Sequence, residues 1–179
     1  MEDFQYIQQK LSAFIKRYYK NELLKGSILF FSIWLLYFII ILLIEYFFWL
    51  SSIGRSILFW TFIAVSLGLL FKFIFIPLAK LFRLSKGMDP LEASKVIGKY
   101  FPEVNDKLLN VMQLQHSQEK SDLLLAGIAQ KSRELKPVPF NLAINFSSSL
   151  KYLKYAAFPI ILLLAFLVTG NSTIFSESY

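Results

Sequence analysis

Apolar residues in this chain are gathered into long blocks, with amphipathic stretches between them. Three nearly unbroken apolar runs occupy residues 27–50, 56–78 and 155–168. A bilayer core is about 30 Å thick, and a helix needs about 20 apolar residues to cross it. The first two runs meet that length. The third reaches it once Leu150, Tyr152 and Leu153 join and Lys151 and Lys154 snorkel to the interface. The pattern predicts an all-α integral membrane protein with three transmembrane helices, an N-terminal amphipathic helix, and a small cytoplasmic helical segment between spans two and three. The expected division is 1–25 for the amphipathic helix and 26–78 for a transmembrane hairpin. The cytoplasmic segment follows over 79–149, then the third span over 150–169 and an external tail over 170–179.

Outside the runs, the period changes to that of half-buried helices. Phe4, Ile7, Leu11, Phe14, Ile15 and Tyr18 recur at three- and four-residue spacing. That stripe suits a helix lying on the inner leaflet of the membrane. An interfacial helix is therefore expected over 1–25; the alternative is a helix packed on the protein's own cytoplasmic part. Asp89-Pro90-Leu91-Glu92 predicts a helix start with a capping box and Pro at the first helical position. Ala93, Val96, Ile97 and Tyr100 form its apolar stripe. A second helix is expected from Pro102, with Val104, Leu108, Val111 and Met112 on one face. Ser121 caps a third, with Leu124, Leu125, Ile128 and Ala129 inside. Lys136-Pro137-Val138-Pro139 ends it, because each Pro disfavours helix in the residue before it.

Charge turns these elements into a topology. The formal net charge is +7, and its location matters more than its size. Lys10, Lys16, Arg17, Lys20 and Lys25 precede the first run, and Lys and Arg are dense from Lys80 to Lys154. The loop between runs one and two holds only Arg55, and the tail holds no Lys or Arg. The positive-inside rule then predicts a cytoplasmic N-terminus and middle segment, with the hairpin turn and the C-terminus facing outward. Anionic lipid headgroups are the expected partner of the basic side. The first run starts too late and runs too long for a cleaved signal peptide.

Candidate chemistry is sparse. There is no Cys and a single His, His116, which excludes disulfides, thiolate chemistry and a His-built metal site. No phosphate-binding Gly-rich loop, HExxH or GxSxG occurs. Asp89, Glu92, Glu103 and Asp106 sit at expected helix starts, where carboxylates favour the dipole. Catalytic, cofactor and metal sites are therefore expected to be absent, and nucleic acid is not an expected partner. Pro77 is expected to end the second span, and no Pro is expected at mid-depth in any span. Trp49 and Trp60, with Tyr46, flank the 51–54 turn as an outer aromatic belt. Glu45 is the only acid inside a run. Its expected role is a pair with Arg55 across the hairpin; the alternative is a carboxylate that couples to ion or proton movement. Ala64 and Gly68 make a small-xxx-small pair that hints at a homo-oligomer.

Residues 44–50, 54–60 and above all 97–114, with the run Phe101-Pro102-Glu103-Val104-Asn105-Asp106-Lys107-Leu108-Leu109-Asn110, resemble the opening of a bacterial family. Its members are large cytoplasmic-membrane proteins catalogued only as a domain of unknown function. The resemblance implies that this chain corresponds to a membrane-anchored head with three spans, ahead of a large helix-rich external part. It implies a scaffold or accessory subunit of an envelope complex in the bacterial inner membrane, with other membrane or envelope subunits as partners. Tyr100, Phe101, Pro102, Asp106, Leu109 and Asn110 form the candidate partner surface. The competing expectations are an accessory subunit of an ion-gradient-coupled transport or motor assembly using Glu45, and a membrane-bound enzyme on lipid-linked substrates.

Overall fold

The computed structural model describes residues 2–116 and 121–168, with no side-chain account of 115, 116, 122, 123 and 166–168. The expected external tail, 170–179, lies outside them. Every regular element among the described residues is helical. Three helical stretches, Glu2–Phe48, Ser52–Leu81 and Phe140–Ala165, are long and apolar enough to cross a membrane. The chain divides into two compact units, one of residues 1–21 and 80–145, the other of 22–79 and 146–179.

The first unit combines the opening turns of helix α1 (Glu2–Phe48) with α4 (Pro90–Tyr100), α5 (Pro102–His116), α6 (Asp122–Leu135) and a short 3₁₀ turn at Phe140–Ala143. The predicted starts are present. Glu92 Oε2 accepts from the Asp89 N–H at 3.4 Å in a capping box, and Pro90 is the first residue of α4. Ser121 Oγ accepts from the Leu124 N–H at 3.3 Å. Leu135 is the last residue of α6, just ahead of the Pro137-Val138-Pro139 segment. Not every expected core position is inside: Leu125 and Tyr100 are exposed, while Ser132 and Leu135 are fully buried.

The core of this unit decides between the two expectations for the N-terminal stripe. Ile7, Leu11 and Phe14 are 0–2 % exposed. They share one cluster with Ala93, Ile97, Leu108, Val111, Met112, Ile128, Leu135 and Phe140. An interfacial helix would need those side chains free for lipid, and here they face protein. The physical reason is core size: three short amphipathic helices have too little apolar surface among themselves, and a fourth stripe closes the core. α1 itself runs unbroken to Phe48, and the two units divide within it between Asn21 and Glu22. At the α4–α5 junction a Cβ on Gly98 would collide with the Asn105 side chain. Only glycine permits that approach.

The second unit contains the rest of α1, α2 (Ser52–Leu70), a π-helical stretch Phe71–Phe75, most of α3 (Ile76–Leu81), α7 (Ser147–Leu150) and α8 (Leu153–Val168). The hairpin is held by side chains at mid-helix. Trp34 Nε1 donates to Ser66 Oγ at 3.1 Å. The Trp34, Tyr37 and Phe38 rings surround Phe62 at centroid separations of 5.8–6.0 Å.

Three expectations are corrected here. The turn is Trp49-Leu50-Ser51, and Ser52–Arg55 already form the first turn of α2. Pro77 does not end the helix, which continues to Leu81. The missing Pro77 N–H leaves the Phe73 carbonyl without its ordinary partner, and the widened π turn just before Pro77 absorbs the mismatch. That carbonyl is directed at Gly26 of α1, where a Cβ would lie on its oxygen. Third, Pro159 sits inside α8 and is fully buried, so a span does carry an internal Pro.

Candidate functional site

Two places gather the predicted residues, one in each unit. The first is the hairpin turn. Trp49 closes α1 with φ 45, a left-handed conformation that reverses the chain. Its N–H donates to the Glu45 carbonyl at 3.2 Å. Ser51 is extended, and the Arg55 N–H donates to its carbonyl at 3.0 Å as α2 begins. This compact reversal sets the last turn of α1 beside the first turn of α2. Arg55 Nε then lies 3.2 Å from Glu45 Oε1, with the carboxylate side chain about one quarter exposed and the guanidinium about half exposed. Arg55 and Glu45 thus form an ion pair between the two helix ends. The chemistry available is that of a clamp, since the carboxylate already holds a permanent cation.

The second place is on the helical unit. Tyr100, Phe101 and Pro102 line a shallow groove of about 380 Å³ together with Glu103, Val104, Pro137, Val138 and Pro139. Asp106, Leu109 and Asn110 are not among its lining residues; Asp106 and Asn110 are exposed on α5, and Leu109 is half-buried. The predicted surface is therefore divided. Its first half belongs to a groove whose opposite wall is the Pro137-Val138-Pro139 segment, which is distant in sequence.

Sequence reasoning missed the residues that hold that wall. Lys10 Nζ donates to the Lys136 carbonyl at 2.8 Å and the Val138 carbonyl at 2.6 Å, and lies 4.8 Å from the centre of the Phe140 ring. Pro137 and Pro139 lack N–H groups, so the chain after α6 cannot continue a helical ladder, and a side-chain cation takes up its carbonyls. Burial pushes the Lys10 ammonium below the ordinary lysine range. Asp3 Oδ1 and Oδ2 meet Lys136 Nζ at 3.2 Å and Arg133 Nε at 3.3 Å. Hydrogen bonds from Lys136 and then Arg133 hold the Asp3 carboxyl below its usual value. On α5 and α6, Lys107 and Glu134 pair at 2.7 Å, which lowers the Glu134 carboxyl in the same way. The only signal in the sequence was that Asp3 and Lys10, three or four residues from Ile7 and Phe14, flank the apolar stripe.

Among the described residues, no three His, Cys, Asp or Glu side chains gather into a metal-binding group. Comparison with protein-family models, with characterised proteins and with solved structures finds no match to this chain.

Proposed function

We propose that this chain is a non-enzymatic membrane anchor and scaffold in a protein complex of the bacterial envelope. One observation carries the reading: a single helix, α1, supplies Ile7, Leu11 and Phe14 to the core of the helical unit and continues without a break into the first apolar stretch. A folded surface unit built on the root of a membrane helix is suited to hold partners at the bilayer. The low burial of the apolar stretches supports the membrane setting. Only 11 %, 6 % and 11 % of their most apolar windows are buried by protein, and soluble proteins do not leave apolar patches of that extent in water. The distribution of Lys and Arg orients the N-terminus and the helical unit to the cytoplasm and the C-terminus to the periplasm of the inner membrane. The Tyr100–Val104 groove is the surface offered to other subunits. The resemblance to the bacterial envelope family supports the same role, and the Glu45–Arg55 pair supports a structural use of that carboxylate.

Two measurements test this reading. Periplasm-sensitive and cytoplasm-sensitive reporters fused after Tyr179 and inserted near residue 117 should report outside and inside respectively; the reverse pattern sinks the topology. A mild-detergent pull-down should recover a stoichiometric set of membrane or envelope proteins. Recovery of the bait alone would remove the scaffold reading.

A further inference from the structure

With the N-terminal stripe buried in the core, the exposed apolar surface of the helical unit lies elsewhere. Between α3 and the capping box of α4 the chain reads Phe82-Arg83-Leu84-Ser85-Lys86-Gly87. Phe82 is 67 % exposed, and Leu84, at 82 %, is the most exposed large apolar side chain among the described residues. Arg83 between them has φ 60, a left-handed conformation unfavourable for a residue with a Cβ. Both ends of the segment are tied: Arg83 Nη2 is 3.5 Å from Ser12 Oγ, and the Met88 N–H donates to Tyr19 Oη at 2.6 Å. Strain at a held, exposed position points to use.

The charge around the two apolar side chains has one sign. Lys80, Arg83 and Lys86 accompany them, no acid occurs before Asp89, and Asp89 belongs to the capping box. Among the described residues no ion pair includes any of these three cations. Exposed apolar side chains alternating with unneutralised cations match an anionic lipid surface, where acyl chains take the first and phosphodiesters the second. Chain length places the segment within range. The second apolar stretch ends at Leu81, and the three further residues to Leu84 span at most about 10 Å.

We propose that the Phe82–Lys86 segment is a lipid-binding site: Phe82 and Leu84 enter the headgroup–acyl boundary of an anionic leaflet, and Lys80, Arg83 and Lys86 bind phospholipid phosphates. The proposal rests on the membrane reading above and assigns the interfacial role to this segment instead of the N-terminal helix.

The chain has no cysteine, so Leu84→Cys and Phe82→Cys each accept a single environment-sensitive fluorophore. The labelled protein is reconstituted in nanodiscs of phosphatidylcholine alone or with phosphatidylglycerol. On anionic discs we expect a blue-shifted emission and quenching by lipids spin-labelled near the headgroup. Both effects should shrink on neutral discs and after Lys80→Gln, Arg83→Gln and Lys86→Gln are combined with Leu84→Cys. A water-like emission on both discs, from protein that co-elutes with them, overturns the lipid site and leaves the anchor reading standing. Equal shifts on both discs overturn the phosphate recognition. A blue-shifted emission that spin-labelled lipids do not quench shows the segment packing on protein and also overturns the proposal. Failure to co-elute with either disc overturns the membrane reading itself.

Discussion

Lys10 and Asp3 act on the end of α6 without belonging to any hydrophobic pattern. Lys10→Met keeps the apolar stem but removes the ammonium that serves two backbone carbonyls. Leaving such carbonyls without a partner costs about 1–3 kcal/mol, so thermal unfolding followed by circular dichroism in detergent should show a clear loss. Asp3 gives a pH signature. Its folded carboxyl is held below the unfolded value by Lys136 and Arg133. The unfolded state therefore binds the proton first, and stability contributed above the unfolded pKa is lost as pH falls through the folded one. Asp3→Asn should flatten that acid limb and leave stability near neutrality only slightly changed, because the pair is at the surface. Arg55→Gln at the partly exposed hairpin pair should cost less than about 1 kcal/mol. Loss of a gradient-dependent activity with stability unchanged would contradict the clamp reading of Glu45.

At the scale of elements, the hairpin depends on backbone meeting backbone. The Phe73 carbonyl, without its ordinary partner because Pro77 has no N–H, is received by Gly26. Gly26→Ala puts a methyl group onto that oxygen, and overpacking of this kind costs about 1–3 kcal/mol. Gly68→Ala is the matched control: nothing lies within 4 Å of its added Cβ, so helix propensity alone should stabilise it by up to about 1 kcal/mol. Unfolding in detergent should separate the two in sign. If Gly68→Ala instead disrupts a dimer, the Ala64–Gly68 pair is an oligomer contact that the single chain leaves open.

At the scale of the molecule, the helical unit is assembled from two distant segments. Residues 80–145 expressed alone lack Ile7, Leu11 and Phe14, which are at most 2 % exposed in the native core. Each such side chain contributes about 1.5–3 kcal/mol by burial, comparable in sum with the net stability of a small domain. The fragment should therefore be loosely folded by circular dichroism and hydrogen exchange, and a peptide of residues 2–21 should restore cooperative melting. A fragment that melts cooperatively by itself would show that α1 is only an attachment.

Local signals were legible where one stretch of chain settles its own state. The apolar runs, the capping box at Asp89–Glu92, the Ser121 cap and the stop before Pro137 all depend on neighbours within a turn or two. Prolines were harder to read, since Pro77 and Pro159 sit inside helices: a helix tolerates a lost hydrogen bond when a π turn or packing accommodates it. The partner surface was half legible. Tyr100, Phe101 and Pro102 are adjacent in sequence, but the opposite wall of their groove comes from Pro137–Pro139 and is fixed by Lys10.

The sequence by itself determined the helical class, the three membrane-length stretches, the helix starts and the one-sided charge, because length, period and composition act locally. The tertiary structure alone decided what the N-terminal stripe is buried against, which cations cap backbone rather than face solvent, and which apolar side chains are left outside. An amphipathic pattern states that a face must leave water; only packing against residues far along the chain selects the surface that receives it.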